Sequence, residues 1–231
     1  MSERNRIATP DGIFDAYVAH PAAASAPVVI VIQEIFGINA DMRETCDTLA
    51  AQGFMAICPD LFWRQERGVE LSDQTDAEMS KAFALYSAFN VDSGVKDIAA
   101  TMDVARMMAG SNGRVGVLGF CLGGLLSYLT ATRHAPDAAV AYYGGGIDQH
   151  LQEAAALQTP LLLHLAEEDE YIHKDAQRLI TQALQPKPQA ETHSYAGCNH
   201  AFARHRGTHF NAVAAELANA RSLRFLLAHL G

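Results

Sequence analysis

Along this chain, short apolar runs alternate with stretches whose apolar residues recur every three to four positions. Residues 13–19 alternate enough to predict an edge strand. Residues 27–33 form a nearly continuous β-branched run, the pattern of a strand buried on both faces. Gln33-Glu34-Ile35-Phe36-Gly37 follows as a loop. Asn39 is placed to cap a helix whose Met42, Cys46, Leu49 and Ala50 fall at i, i+4, i+7 and i+8 on one face. Gly53 ends that helix, and 54–58 is the next buried strand, stopped by Pro59-Asp60. Residues 61–75 are polar and irregular. A helix is predicted over 76–90, and a second is marked by Val95, Ile98, Ala99 and Met102 and ends near Gly110.

The second half repeats the alternation. Val115, Val117 and Leu118 predict a short buried strand, 119–123 a tight turn, and 125–132 a helix. A strand at 138–143 leads to the Gly144-Gly145-Gly146 turn and a short helix through Ala156. An apolar strand at 160–165, a helix at 175–184 and a strand at 191–195 follow. Leu223, Leu226, Leu227 and Leu230 fall at i, i+3, i+4 and i+7 on a C-terminal helix. Regular alternation of strand and helix predicts an α/β fold, with a mostly parallel sheet and helices on both faces. No repeat or linker interrupts residues 1–231, so one domain is expected. The irregular 61–93 region is the candidate for an excursion over the sheet's carboxyl edge, where ligands bind in such folds.

Composition narrows the function by exclusion. The 231 residues are 49% hydrophobic, enough for one domain with a sizeable core. Seventeen basic against 26 acidic residues give a net charge of −9, and no basic cluster appears, so nucleic acid is not an expected partner. The longest apolar run, 26–32, is too short to span a membrane. The first six residues lead into no signal-like apolar segment, so a cytoplasmic monomer with four reduced cysteines (Cys46, Cys58, Cys121 and Cys198) is the expectation.

Candidate chemistry centres on Gly119-Phe120-Cys121-Leu122-Gly123. A strand that turns sharply into a helix with a nucleophile at the apex is a nucleophile elbow, normally built around serine. Here the apex is Cys121, at a helix N-terminus whose unpaired N–H groups favour a thiolate and can bind an oxyanion. A buried structural cysteine in the same turn is the plainer alternative. A nucleophile needs a base, and the base an orienting acid, each in a loop after a later strand. The strand at 160–165 ends in Glu167-Glu168-Asp169-Glu170, and the strand at 191–195 in Gly197-Cys198-Asn199-His200. Periodicity does not choose among the four carboxylates; Asp169 is taken as the acid. His200 is preferred over His193, inside a strand, and over His205 and His209, further along. The spacing of these histidines with Cys198 fits no common zinc pattern and no Cys-x-x-Cys occurs, so neither a metal nor a cofactor is expected.

Several segments together resemble the dienelactone hydrolase (carboxymethylenebutenolidase) family of α/β-hydrolases. They are Gln33-Glu34-Ile35-Phe36-Gly37, Met42-Arg43-Glu44-Thr45, Cys58-Pro59-Asp60-Leu61, Gly119-Phe120-Cys121-Leu122-Gly123-Gly124, Tyr142-Tyr143-Gly144 and Gly197-Cys198-Asn199-His200-Ala201-Phe202-Ala203-Arg204. The resemblance implies a single α/β-hydrolase domain and a Cys121–His200–Asp169 triad that cleaves a lactone or small ester through an acyl-enzyme. It implies that Glu34 holds the resting thiol and accepts its proton when substrate binds. Read alone, Glu34 is a helix-entry or ion-pair residue rather than a catalytic one. The backbone N–H groups of Leu122 and Ile35 would form the oxyanion hole. Arg204 matches one of two arginines that hold a substrate carboxylate, and the position of the other falls at Met79, with Lys81, Arg64 and Arg67 as candidate replacements. Phe36, Tyr86 and Tyr143 are the other expected substrate contacts, and Trp63 is a further candidate. The partner is then a small lactone or ester. A non-catalytic member of the fold that binds a small acid is the alternative reading.

Overall fold

The buried apolar runs become strands, and the way they pair decides which loops share an edge. The computed structural model describes residues 2–231. In chain order the elements are β1 (Ser2–Thr9), β2 (Gly12–Ala19), β3 (Ala26–Ile32), α1 (Ala40–Ala51), β4 (Met55–Pro59), α2 (Asp76–Ser87), α3 (Val91–Met107), β5 (Ser111–Phe120), α4 (Leu122–Arg133), β6 (Ala138–Tyr142), β7 (Leu161–Ala166), α5 (Lys174–Leu184), β8 (Ala190–Tyr195) and α6 (Ala212–Leu230). A 3-10 helix covers Ile147–Ala156. The strands form one eight-stranded sheet in the order β1-β2-β4-β3-β5-β6-β7-β8. The β3–β4, β6–β7 and β7–β8 pairs are parallel, and β1–β2 and β2–β4 are antiparallel. Two compact units make up the chain, one ending at Gly116 and the other Val117–Gly231.

In the first unit, β4 is buried at every position and β3 at all but one, as a strand covered on both faces must be. Helices α1 and α3 pack on them. Asn39 caps α1, its side chain accepting the Met42 N–H at 3.2 Å. The strand expected at the edge, β2, is instead an inner strand, because β1 pairs along its full length from Ser2↔Ala19 to Thr9↔Gly12. Alternation misses β1, whose largest buried apolar side chain is Ile7. The Thr9-Pro10-Asp11-Gly12 turn between the two strands carries the hairpin signal.

The irregular 61–75 segment is held by buried polar side chains. The Gln33 amide oxygen accepts the Leu61 N–H at 3.1 Å. Asp60 accepts the Phe62 and Gly68 N–H groups at 3.2 and 2.9 Å. Burial pushes the Asp60 carboxyl pKa up, and those two hydrogen bonds oppose the rise. Asp97 on α3 is 1% exposed and accepts the Trp63 indole N–H at 2.9 Å and an Arg64 N–H at 3.1 Å. Trp63 also stacks on Phe14 at 5.6 Å, so it serves packing here. Phe36 and Leu71 join by a 2.9 Å backbone hydrogen bond, which ties the segment to the loop after β3.

In the second unit, β6 and β7 are buried at every position. On α6 the buried stripe is Ala214, Ala215, Ala218, Ser222, Leu226 and Leu230. The expected leucine stripe holds only in part, since Leu227 is half exposed. Small residues set the contact face, because they let the helix approach β6 and β7 closely. A buried polar cluster then joins these elements. His164 on β7 contacts the Tyr195 hydroxyl through Nδ1 at 2.8 Å and the Ser222 hydroxyl through Nε2 at 2.9 Å. Ser222 also shares a 2.7 Å bond with the Tyr142 hydroxyl. Burial drives the His164 pKa well down, so the ring is neutral and joins both hydroxyls without charge. No helix among the described residues is long and apolar enough to cross a membrane.

Removing the Asp97 carboxylate strands two donors at once. Asp97→Ala is expected to lower the unfolding free energy by about 3 kcal/mol, with Asp97→Asn losing less because it keeps an acceptor. Urea unfolding of both variants checks this, and two curves that overlay the wild type would remove Asp97 as an anchor.

Candidate active site

The site begins with the backbone at the end of β5. Val115, Val117, Leu118 and Phe120 are all buried and lead straight into Cys121. The turn is tighter than the sequence suggests, since Phe120 is still strand and α4 begins at Leu122. Cys121 alone makes the corner, with φ +53° and ψ −115°. A residue with a Cβ rarely holds such a conformation. Its N–H donates to the Tyr142 carbonyl at 3.0 Å, and its carbonyl accepts from Gly124 and Leu125 at 2.9 and 3.2 Å. A Cβ at Gly119 would sit 2.1 Å from the Gly123 carbonyl oxygen, and one at Gly124 would sit 2.4 Å from that of Tyr142. The glycines let strand and helix close on the corner. Cys121 is partly exposed. Leu122, its neighbour, is the first helical residue, where an N–H lacks an intrahelical acceptor.

The acid and base arrive from adjacent loops. Parallel pairing of β7 with β8 ends at Ala166↔Tyr195, so the loops that follow start side by side. His200 Nδ1 lies 2.9 Å from Asp169 Oδ2 and 3.0 Å from Oδ1. Asp169 Oδ1 also accepts the Tyr171 and Ile172 N–H groups at 2.9 and 3.0 Å. The other three carboxylates are used elsewhere. Glu167 accepts the Gly197 N–H at 3.1 Å, Glu168 pairs with Lys174 at 2.7 Å, and Glu170 lies 3.7 Å from His209.

Sequence reasoning assigned Asn199 no role. Its side-chain oxygen accepts both the Glu170 N–H at 3.1 Å and the His200 N–H at 2.7 Å, which staples the two loops together. An asparagine directly before a loop histidine was the available signal.

The His200 ring is buried and set between two tyrosines, Tyr143 at 5.1 Å and Tyr171 at 4.9 Å, both edge-on. Its Nε2 makes no hydrogen bond of ordinary geometry among the described residues, and Cys121 acts on the ring mainly through charge. Burial works against a charged ring, but Cys121 and then Asp169 outweigh it and lift the pKa to about 10.

The remaining expected residues are placed as follows. Arg204 is partly exposed in the loop after His200, its N–H donating to the Ala201 carbonyl at 3.0 Å. Tyr143 is fully buried against His200 and Phe202. In the first unit, Glu34, Ile35 and Phe36 follow β3 and are all buried. Tyr86 and Met79 lie on α2, with Tyr86 40% exposed and Met79 half buried. The candidate replacements for a second arginine are already engaged. Arg64 pairs with Asp97 and with Asp11 at 2.7 Å, Arg67 donates to the Ile13 carbonyl at 2.9 Å, and Lys81 pairs with Glu66 at 2.7 Å. All four cysteines are free thiols.

Comparison with known proteins places the chain. A model of the dienelactone hydrolase family matches residues 14–230. A protein of Azospirillum brasilense, provisionally named carboxymethylenebutenolidase, is 45% identical over 233 residues, covering 100% of both chains. The carboxymethylenebutenolidase of Pseudomonas putida is 40% identical over 227 residues, covering 98% of this chain and 96% of its own. A solved structure from Klebsiella pneumoniae subsp. pneumoniae, provisionally named dienelactone hydrolase, superposes with a TM-score of 0.87 at 27% identity over 98% of each chain. The agreement of family model, full-length relatives and fold has one meaning: this chain belongs to the dienelactone hydrolase family and is an ester-hydrolysing enzyme.

Proposed function

We propose that this enzyme opens a small lactone or ester by nucleophilic attack of the Cys121 thiolate, with His200 as acid and base and Asp169 as the group that orients and supports it. The observation that carries this reading is the His200 ring. It is buried, hydrogen-bonded to Asp169 through Nδ1, and raised to about 10 by the neighbouring cysteine and aspartate. An imidazolium beside a cysteine favours the thiolate.

The steps follow from that charge arrangement. The thiolate attacks the substrate carbonyl, and the Leu122 N–H at the start of α4 receives the developing oxyanion. The tetrahedral intermediate collapses, the C–O bond to the leaving alkoxide breaks, and His200 donates its Nε2 proton to that oxygen. The product is a thioester on Cys121, which carries no charge. The largest influence holding the proton on His200 has then gone, so the ring becomes the base it must be for the second half. It takes a proton from water, the hydroxide attacks the thioester, and the thiolate leaves as the ring keeps the proton. Asp169 keeps the ring oriented throughout, itself held by two backbone N–H groups.

Ile35 as a second oxyanion donor and Glu34 as the acceptor of the resting thiol proton enter this reading on the Gln-Glu-Ile-Phe-Gly match. Phe36, Tyr86 and Arg204 enter as substrate contacts on the same kind of match, Arg204 toward a substrate carboxylate. The single family model running from 14 to 230 supports treating the chain as one domain.

Cys121→Ala is expected to abolish hydrolysis of p-nitrophenyl acetate while thermal unfolding stays near wild type; residual turnover above about 1% would remove Cys121 from the mechanism, since loss of a covalent nucleophile costs several powers of ten. His200→Gln should slow alkylation of Cys121 by iodoacetamide at pH 7 by about tenfold or more, because the supporting imidazolium is gone. Equal alkylation rates would break the proposed pairing. Met79→Arg is expected to raise the ratio of turnover on carboxylate-bearing lactones to turnover on neutral esters, and an unchanged ratio would count against that position.

A further inference from the structure

Tyr171 lies in the acid loop and is 52% exposed. An exposed tyrosine is ordinarily a surface residue with several rotamers. This one is held. Its N–H donates to Asp169 Oδ1 at 2.9 Å, and the next N–H, from Ile172, donates to the same oxygen at 3.0 Å. The ring stands nearly perpendicular to the His200 ring, at 80° and 4.9 Å between centroids. One side of the ring is therefore fixed against the catalytic imidazole while the rest stays open to solvent. The charged groups that act on its hydroxyl are Glu170, Cys121, Asp169 and Arg204. The phenol thus stands in the field of both Cys121 and the Arg204 guanidinium. Desolvation, Glu170 and Cys121 all push its pKa up, against Arg204, so the oxygen keeps its proton and remains a donor.

We propose that Tyr171 is a substrate-contacting residue whose ring flanks the bound substrate and whose hydroxyl donates a hydrogen bond to a substrate carboxylate beside Arg204. This rests on reading Cys121, His200 and Asp169 as the reacting groups. The two donors do different work. The guanidinium supplies charge and a planar fork of donors that matches a carboxylate. The phenol supplies one directed hydrogen bond from a ring that its neighbours already hold, so little conformational freedom is lost on binding.

The test separates recognition from chemistry by using ligands that are neither esters nor lactones. Furan-2-carboxylate and furan-2-carboxamide share the flat ring and differ in charge. Each is titrated calorimetrically into the wild type, Tyr171→Phe and Tyr171→Leu. The wild type is expected to bind the carboxylate more tightly than the carboxamide. Tyr171→Phe, which keeps the ring, should weaken the carboxylate about tenfold, the size of one hydrogen bond to a charged group. It should leave the carboxamide unchanged. Tyr171→Leu should weaken both. Wild-type affinity for the carboxylate in Tyr171→Phe overturns the proposal, and so does a wild type that binds neither ligand. Hydrolysis of p-nitrophenyl acetate by the wild type is measured alongside. Carboxylate binding with the expected dependence on Tyr171, but without any turnover, would overturn the hydrolytic reading and leave the recognition proposal standing.

Discussion

One backbone position, Cys121, is held where a residue with a side chain resists being held. A non-glycine residue in such a region costs roughly 1–3 kcal/mol and persists only where its surroundings leave no alternative. Those surroundings are specific. The Cys121 N–H is fixed on the Tyr142 carbonyl and its own carbonyl takes the first amides of α4. The strand before it and the helix after it approach so closely that a single methyl group at Gly119 or Gly124 would strike backbone. Relaxing the corner would mean prising β5 from α4, or α4 from β6. The strain is thus stored in packing, and its product is a sulfur at a helix N-terminus with a free backbone donor beside it. Every later role assigned to the second unit assumes that the sulfur stays there.

The second constraint is the allocation of charge in two neighbouring loops. Residues 167–170 are four carboxylates in a row, which would repel one another if they shared a surroundings. The pairing of β7 with β8 gives each a separate partner: a backbone amide for Glu167, a lysine for Glu168, an imidazole and two amides for Asp169, a histidine for Glu170. Asp169 is the one whose side chain is fully buried, so its charge acts on His200 with little screening by water. Asn199 keeps the spacing by bonding amides from both loops. The Tyr195–His164–Ser222 cluster anchors the strand ends beneath, and because that histidine is neutral it adds no field to the one above.

Much of this was legible in the amino-acid order, for identifiable reasons. A strand buried on both faces has to be a continuous apolar run, so β3, β4, β6 and β7 announced themselves. The elbow was legible because glycine is the only residue that tolerates its close approaches. What failed to show had weak local signals. The outer strand β1 is polar on most positions, since it has one neighbour and little to bury. The contact face of α6 adds three alanines and a serine to Leu226 and Leu230, and a search for leucines overlooks that half of it. The choice of Asp169 from its neighbours depended on where a second loop lies, which no local pattern encodes. Tyr171 was invisible for the same reason: its meaning comes from standing against a residue 29 positions away in the chain.

The bases of the 61–81 region bear on how a substrate anion is held. Arg64, Arg67 and Lys81 each serve an internal partner, and α2 carries Met79 where the resemblance places an arginine. Under the proposed function, a substrate carboxylate is then left to Arg204 and to neutral donors. That shortage has a compensating effect on the chemistry. The proposed mechanism needs His200 as a cation at the moment of attack. A second guanidinium drawn to the same carboxylate would oppose that charge. A phenol hydroxyl donates to the same carboxylate with no such penalty. Holding an anion with one cation and one neutral donor, as proposed, therefore puts less opposing charge on the imidazolium.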